Sequence, residues 1–180
     1  MDSLAVAGVR VAWRAVLPGA TRREVAYALI RELAGDADLV LTQVCDRCGG
    51  DHGPVRVSGD AVQASVAYAR ARVSGDEVAV VAVATGVAAL GIDAEFEVDP
   101  VRDAAGIAAA LGRESASIHD WGRVEAALKA SGAGVHIDPS QVLVQGPPGS
   151  WTATVPGTAA SFRGADLSRI PNLVVAVAYA

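Results

Sequence analysis

Lysine is almost missing from this chain. Lys129 stands alone among 15 Lys and Arg residues in a sequence of 180. Where arginine is used in place of lysine so consistently, the one lysine that persists is either suited to its place as a compact ammonium rather than a flat guanidinium fork or a chance leftover on a solvated helix face. Aromatic residues are also scarce, at 4%, which leaves Val, Ala, Leu and Ile to build the core, with Trp13 and Trp151 as its expected anchors. Two cysteines exclude a disulfide framework and fit a reducing, cytoplasmic setting. The longest uncharged apolar run, Val78 to Ile92 between Glu77 and Asp93, is too short and too rich in Ala and Gly to span a bilayer. The N-terminus lacks the basic start, apolar block and small-residue cleavage site of a secretory signal, so no membrane association is expected. A net charge of −5 argues against a nucleic-acid partner bound through a broad basic field.

What is present suits one globular domain or two small halves that share a core: 52% hydrophobic and 19% charged residues. Thr21, Glu24 and Gly35 bracket a predicted helix over Thr21 to Leu33, with a capping box at its start and glycine past its end. Residues 36–60 read as strand and loop, punctuated by Cys45, Cys48, Gly49, Gly50, His52, Gly53 and Pro54. Strands are expected over Val62 to Ala71, Val78 to Ala84 and Ala89 to Glu95, with a turn at Thr85-Gly86. Two helices follow, Ala104 to Leu111 and Asp120 to Ser131, the second capped by Asp120 and stopped by Gly132. Short strands near 142–144, 151–155 and 173–179 complete the reading. The run Val78 to Ala84 is echoed by Leu173 to Ala180, which suggests a duplicated α+β unit.

Two segments carry chemistry. Gly91-Ile-Asp-Ala-Glu95 places Asp93 and Glu95 on one face of a strand, about 6.5–7 Å apart at Cα. Two carboxylates held together repel unless a cation lies between them, and a hard ion with oxygen ligands such as Mg²⁺ is one answer; a solvated strand end is the other. On the later helix Trp121, Glu125 and Lys129 fall every four residues and line one stripe, with Val124, Ala127 and Leu128 on the buried side. Taken alone the helix reads first as a local Glu125–Lys129 surface pair, and otherwise as a third carboxylate with a phosphate-neutralising ammonium one turn on.

Together, Gly-Ile-Asp-Ala-Glu and Trp-x-x-x-Glu-Ala-x-x-Lys resemble the paired signature of the longer, pseudo-dimeric 4′-phosphopantetheinyl transferases, the Sfp-like class. The segment Cys45-Asp-Arg-Cys-Gly-Gly-Asp-His-Gly53 is similar to one often seen in bacterial members, and the helix ending Tyr27-Ala-Leu-Ile-Arg31 to the family's N-terminal helix. The resemblance runs in order from about residue 22 to 134. It implies an α+β fold of two similar halves, about 1–87 and 88–180, around a central cleft, in a monomer. It implies Mg²⁺-dependent transfer of the phosphopantetheine group from coenzyme A to a serine of an acyl or peptidyl carrier protein, with release of 3′,5′-ADP, as in fatty acid, polyketide or nonribosomal peptide biosynthesis. Asp93, Glu95 and Glu125 would hold the metal. Glu125 would take the serine proton and Lys129 would offset phosphate charge. Arg31 with Arg22 or Arg23 would bind the 3′-phosphate, while Tyr68 and Arg56 occupy or replace the family's histidine and basic positions. The chain departs from the pattern at Val124, usually lysine, at Tyr68, usually histidine, and at Pro54, usually basic. A non-catalytic binder of coenzyme A or of a carrier protein is the alternative on the same scaffold. A zinc-dependent interaction module built on Cys45, Cys48 and His52, with His119 or His136 as a distant fourth ligand, is a further one.

Overall fold

The computed structural model describes residues 2–45, 48–59 and 61–180; Asp46 and Arg47, inside the cysteine motif, lie outside the described residues. The architecture is α+β. A hairpin, β1 (Asp2–Val6) and β2 (Val9–Ala15), is closed by Ala7 and Gly8, both at positive φ, the backbone that matches the twist of paired strands. Helix α1 (Arg22–Ala34) follows. Thr21 and Glu24 form the expected reciprocal capping box, and Gly35 ends the helix in the left-handed conformation. A two-stranded ribbon, β3 (Leu41–Thr42) with β4 (Arg56–Val57), frames the cysteine loop. Strands β5 (Val62–Arg70), β6 (Glu77–Thr85) and β7 (Leu90–Phe96) come next, then helices α2 (Ala104–Ala110) and α3 (Ile118–Ser131). The chain ends in β8 (Leu143–Gln145), β9 (Trp151–Thr154), β10 (Ser161–Asp166) and β11 (Leu173–Tyr179). Among the described residues no helix is long and apolar enough to cross a membrane.

The strands form a four-stranded sheet, β1-β2-β6-β5, and a five-stranded sheet, β7-β11-β10-β9-β8. Each is antiparallel. The two echoed sequence runs, β6 and β11, occupy corresponding places: β6 lies between β2 and β5, β11 between β7 and β10. Both are almost wholly buried, which is why they read as continuous Val/Ala runs without alternation.

One continuous apolar cluster draws on a face of each sheet, with Val9, Val11, Val80 and Ala82 from the first and Ile92, Ala94, Val175 and Val177 from the second. The sheets meet chiefly where β5 runs beside β7. There the Ile92 backbone N–H donates to the buried Ser65 hydroxyl at 3.1 Å. Helix α1 covers the other face of the first sheet through Ala26, Leu29, Ile30 and Leu33. Helix α3 covers the other face of the second through Val124, Ala127 and Leu128, packed with Ala176, Ala178 and the fully buried Trp151 and Phe162. Trp13, by contrast, is only partly buried.

Helix α3 starts earlier than its sequence suggests. Ser117, not Asp120, is the N-cap, and Asp120 at the third helical position returns a bond to the Ser117 N–H. The helix lies unusually close to β7 because Gly91 has no side chain: a methyl there would overlap the Ala126 carbonyl oxygen and the Ala130 nitrogen, both backbone atoms. Gly91→Ala must therefore push α3 away or distort β7. Overpacking of this kind costs about 3 kcal/mol at its upper end, which lowers Tm by about 6–12 °C in a chain of this size. Gly149→Ala, where nothing lies within 4 Å of the added methyl, serves as the control in the same thermal melt. Equal Tm values for the two variants would overturn the close-packing account.

Candidate functional site

Period-two geometry on β7 sends Ile92 and Ala94 into the inter-sheet core and Asp93 and Glu95 to the side that α3 covers. Asp93 is 7% exposed. Its Oδ1 accepts a bond from Lys129 Nζ at 2.7 Å, and the same ammonium donates to the Ile92 carbonyl at 3.0 Å. Helical side chains lean toward the N-terminus of their helix, so the Lys129 stem runs back over the sheet to reach this strand. Its ion pair is thus with Asp93 across the interface, in place of the local Glu125 partner that spacing alone offered.

Among the described residues, the other oxygen, Asp93 Oδ2, is buried with no hydrogen-bond partner. Gly122 lies over it, and even a methyl at Gly122 would stand 3.7 Å away, so the helix leaves that oxygen uncrowded. Glu95 and Glu125 are both partly buried. Burial pushes the Glu125 carboxyl above its ordinary range, and the charge of Asp93 pushes it further, against a lowering by Lys129. Glu95 is raised by burial first and by Asp93 second, partly offset by Arg102, Lys129 and Arg72. Asp93 therefore couples electrostatically to both glutamates, and one lysine serves three acids. The donors are all oxygens, the kind of ligand a hard divalent cation takes, and one of them is buried without a hydrogen-bond partner among the described residues. The three carboxylates do not close into a tight cluster. Among the described residues, the one trio of candidate ligand atoms within 4.8 Å of one another is Cys45, Cys48 and His52.

The expected coenzyme-binding residues divide. Arg22, Arg23 and Tyr68 line one cleft of about 350 Å³ with Thr21, Gln43, Asp51 and His52. The Arg22 guanidinium lies over the Tyr68 ring, 4.8 Å from its centre, a cation–π contact, and reaches Glu77 at 3.6 Å. Arg23 is paired with the Asp51 carboxylate and also donates to the Asp51 carbonyl at 2.6 Å. Burial raises the Tyr68 hydroxyl above its usual pKa, so it stays protonated and able to donate at neutral pH. Arg31 is elsewhere: its Nε donates to the Leu39 carbonyl at 3.1 Å and ties the end of α1 to the next loop. Arg56, on the exposed ribbon strand β4, does not line the cleft either.

A larger cavity, about 750 Å³, is lined by Ser117, His119, Arg123, Asp166 and Asn172 among others. Arg123 grips Asp166 in a two-pronged pair at 2.7 and 3.0 Å, and Trp151 Nε1 donates to the same carboxylate at 2.9 Å. Neither cavity is lined by Asp93, Glu95 or Glu125. Gln43 and Asp51 carry no signal of their own in the sequence, although Asp51 sits within the Cys/His motif that frames it. His119 stands 3.7 Å from Asp166 and His136 lies in a short 3-10 turn, so neither joins the Cys45–Cys48–His52 trio. No protein-family model and no curated protein matches the chain.

The raised Glu125 carboxyl has a measurable consequence. A carboxyl whose pKa is higher in the folded chain binds protons more readily there, so its ionisation weakens folding as pH rises from the unfolded value through the folded one. Glu125→Gln removes that penalty. The variant should melt a few degrees above the parent at pH 7, with about 2–4 °C for each kcal/mol, and the gain should vanish near pH 4. A gain that persists unchanged at pH 4 would sink this electrostatic account.

Proposed function

We propose that this protein is a 4′-phosphopantetheinyl transferase that moves the phosphopantetheine group of coenzyme A onto a serine of a carrier protein. The observation that carries the reading is the buried, partnerless Oδ2 of Asp93, flanked by two glutamates whose carboxyls resist ionisation, with the chain's sole lysine alongside. That is the equipment of phosphoryl transfer, in which positioning and charge neutralisation matter more than covalent chemistry. The shared strand arrangement, β2-β6-β5 and β7-β11-β10, with α1 and α3 each covering one sheet, supports two related halves meeting at β5 and β7. Arg22, Arg23 and Tyr68 around one cleft support an anion-binding role on the first half.

In this reading Asp93, Glu95 and Glu125 hold Mg²⁺, which when bound supplies Lewis-acid neutralisation of the diphosphate. Glu125 accepts the proton of the incoming serine hydroxyl, directly or through water. Lys129 keeps Asp93 oriented and adds positive charge where phosphate charge develops. Arg22 and Arg23 grip the terminal phosphate of the coenzyme by charge-assisted bonds, and Tyr68 donates its hydroxyl. Arg31 ties the end of α1 to the next loop, and neither Arg31 nor Arg56 lines the cleft.

A second reading, a binder of coenzyme A or of a carrier protein without turnover, is favoured by one fact: the three acids line neither cavity. Incubation with labelled coenzyme A, Mg²⁺ and a panel of apo carrier proteins separates the two. Labelled carrier is the expected result. Coenzyme binding with no label on any carrier supports the binder. Asp93→Ala and Glu125→Gln should each reduce turnover by at least about 100-fold while the variants stay folded, and Lys129→Arg should impair it because a planar fork does not replace a point charge. Full rates in either carboxylate variant would remove the metal assignment.

A further inference from the structure

Cys45, Cys48 and His52 take no part in the transfer chemistry, yet they are the most compact set of metal-type ligands among the described residues. Cys45, Cys48 and His52 bring their ligand atoms within 4.8 Å of one another, with Cys48 Sγ 3.0 Å from His52 Nε2. The backbone around them is folded for this. The Gly49 N–H donates to the Cys45 carbonyl at 2.8 Å, the Cys45 N–H to the Gly50 carbonyl at 2.9 Å, and the Gly50 N–H points at Cys48 Sγ from 3.4 Å. Gly49 and Gly53 hold positive φ. At Gly50 a methyl would stand 3.1 Å from Cys48 Sγ and 3.2 Å from the His52 ring, so glycine keeps the space between the ligands open.

We propose that Cys45, Cys48 and His52 bind one Zn²⁺ ion, with water completing the coordination. Two thiolates and an imidazole are the ligand set of a borderline-soft ion that prefers tetrahedral geometry, which describes zinc and not magnesium or calcium. Seating the ion needs Cys48 and His52 to separate by only about 0.5 Å, since tetrahedral bonds of about 2.3 Å to sulfur and 2.0 Å to nitrogen hold those atoms about 3.5 Å apart. Binding releases the two thiol protons, and the thiolates balance the charge of the ion. The consequence of loading is mechanical. His52 and Asp51 both line the cleft of Arg22, Arg23 and Tyr68, Asp51 holds Arg23, and Gln43 Nε2 donates to the Gly53 carbonyl at 2.7 Å. The ion therefore fixes the loop that positions Arg23, and the cleft depends on a metal that stays out of the chemistry at Asp93. This inference stands apart from the transferase reading, and its test uses neither coenzyme nor carrier.

The test is elemental analysis of protein purified with reductant and without chelator, then Co²⁺ titration of the reduced, metal-stripped chain. One equivalent of zinc is expected, with thiolate-to-cobalt charge-transfer absorption at one equivalent of Co²⁺. Cys48→Ser should at least halve that band, leaving one thiolate, and weaken binding at least about 100-fold, since even the loss of an outer-shell partner costs 10–100-fold. His52→Ala, which spares both thiols, gives a second route if Cys48→Ser does not fold; it should keep the band but lose the affinity. Hydrogen exchange over 48–53 should slow on zinc addition in the parent and stay unchanged in both variants. Sub-stoichiometric zinc without the cobalt band, or parent-like affinity in both variants, overturns the proposal.

Discussion

The close seat of α3 on β7 is the constraint from which the rest of the second half follows. Gly91 lets the helix backbone come down onto the strand, and that approach fixes where every side chain of the stripe arrives. Had Gly91 carried a methyl, Lys129 could not reach both Asp93 and the Ile92 carbonyl without the helix tilting. Gly122, nearer the start of the helix, does the complementary job above the second oxygen of Asp93. Two glycines on facing elements thus set the depth at which Asp93 and the ammonium of Lys129 meet.

That meeting is electrostatically incomplete. A lone ammonium answers one oxygen of Asp93 and leaves the other buried and bare, while desolvation and Asp93 both work against ionisation of the neighbouring glutamates. A purely structural interface would have settled this with a second arginine or with apolar residues, as the Arg123–Asp166–Trp151 network does nearby with every oxygen engaged. The contrast between the two carboxylates, one saturated and one deficient, is the physical ground on which the proposed function rests.

Most of this architecture is legible in the sequence wherever one local rule acts alone. Thr21, Glu24 and Gly35 delimit α1 because a capping box and a left-handed glycine are local devices. Ser117-x-x-Asp120 is the same device, yet Asp120 resembles a cap in its own right although it serves as the third residue of the box. The hairpin of β1 and β2 escapes a sequence reading because Ala7-Gly8 is not the usual Asn-Gly turn. Strand β10 escapes it because Arg163 and Gly164 break an apolar run; Gly164 is there to clear the Trp151 ring. At the site, period two correctly puts Asp93 and Glu95 on one face. The choice of Lys129 between Glu125 and Asp93 depends on how close the helix sits, which no window of sequence contains. Arg31 closing on the Leu39 carbonyl is likewise a decision of the loop that follows the helix.

Ile92 does more than fill the core. It belongs to β7, the border strand of its sheet, and border strands leave alternate peptide groups unpaired and open to any passing chain. Here the Ile92 N–H is taken by a hydroxyl from the other sheet and its carbonyl by the ammonium from the covering helix. The rim is sealed at this residue without proline or bulge. The same contacts that tie β7 to the other sheet and to its covering helix thereby guard the protein against strand-by-strand self-association.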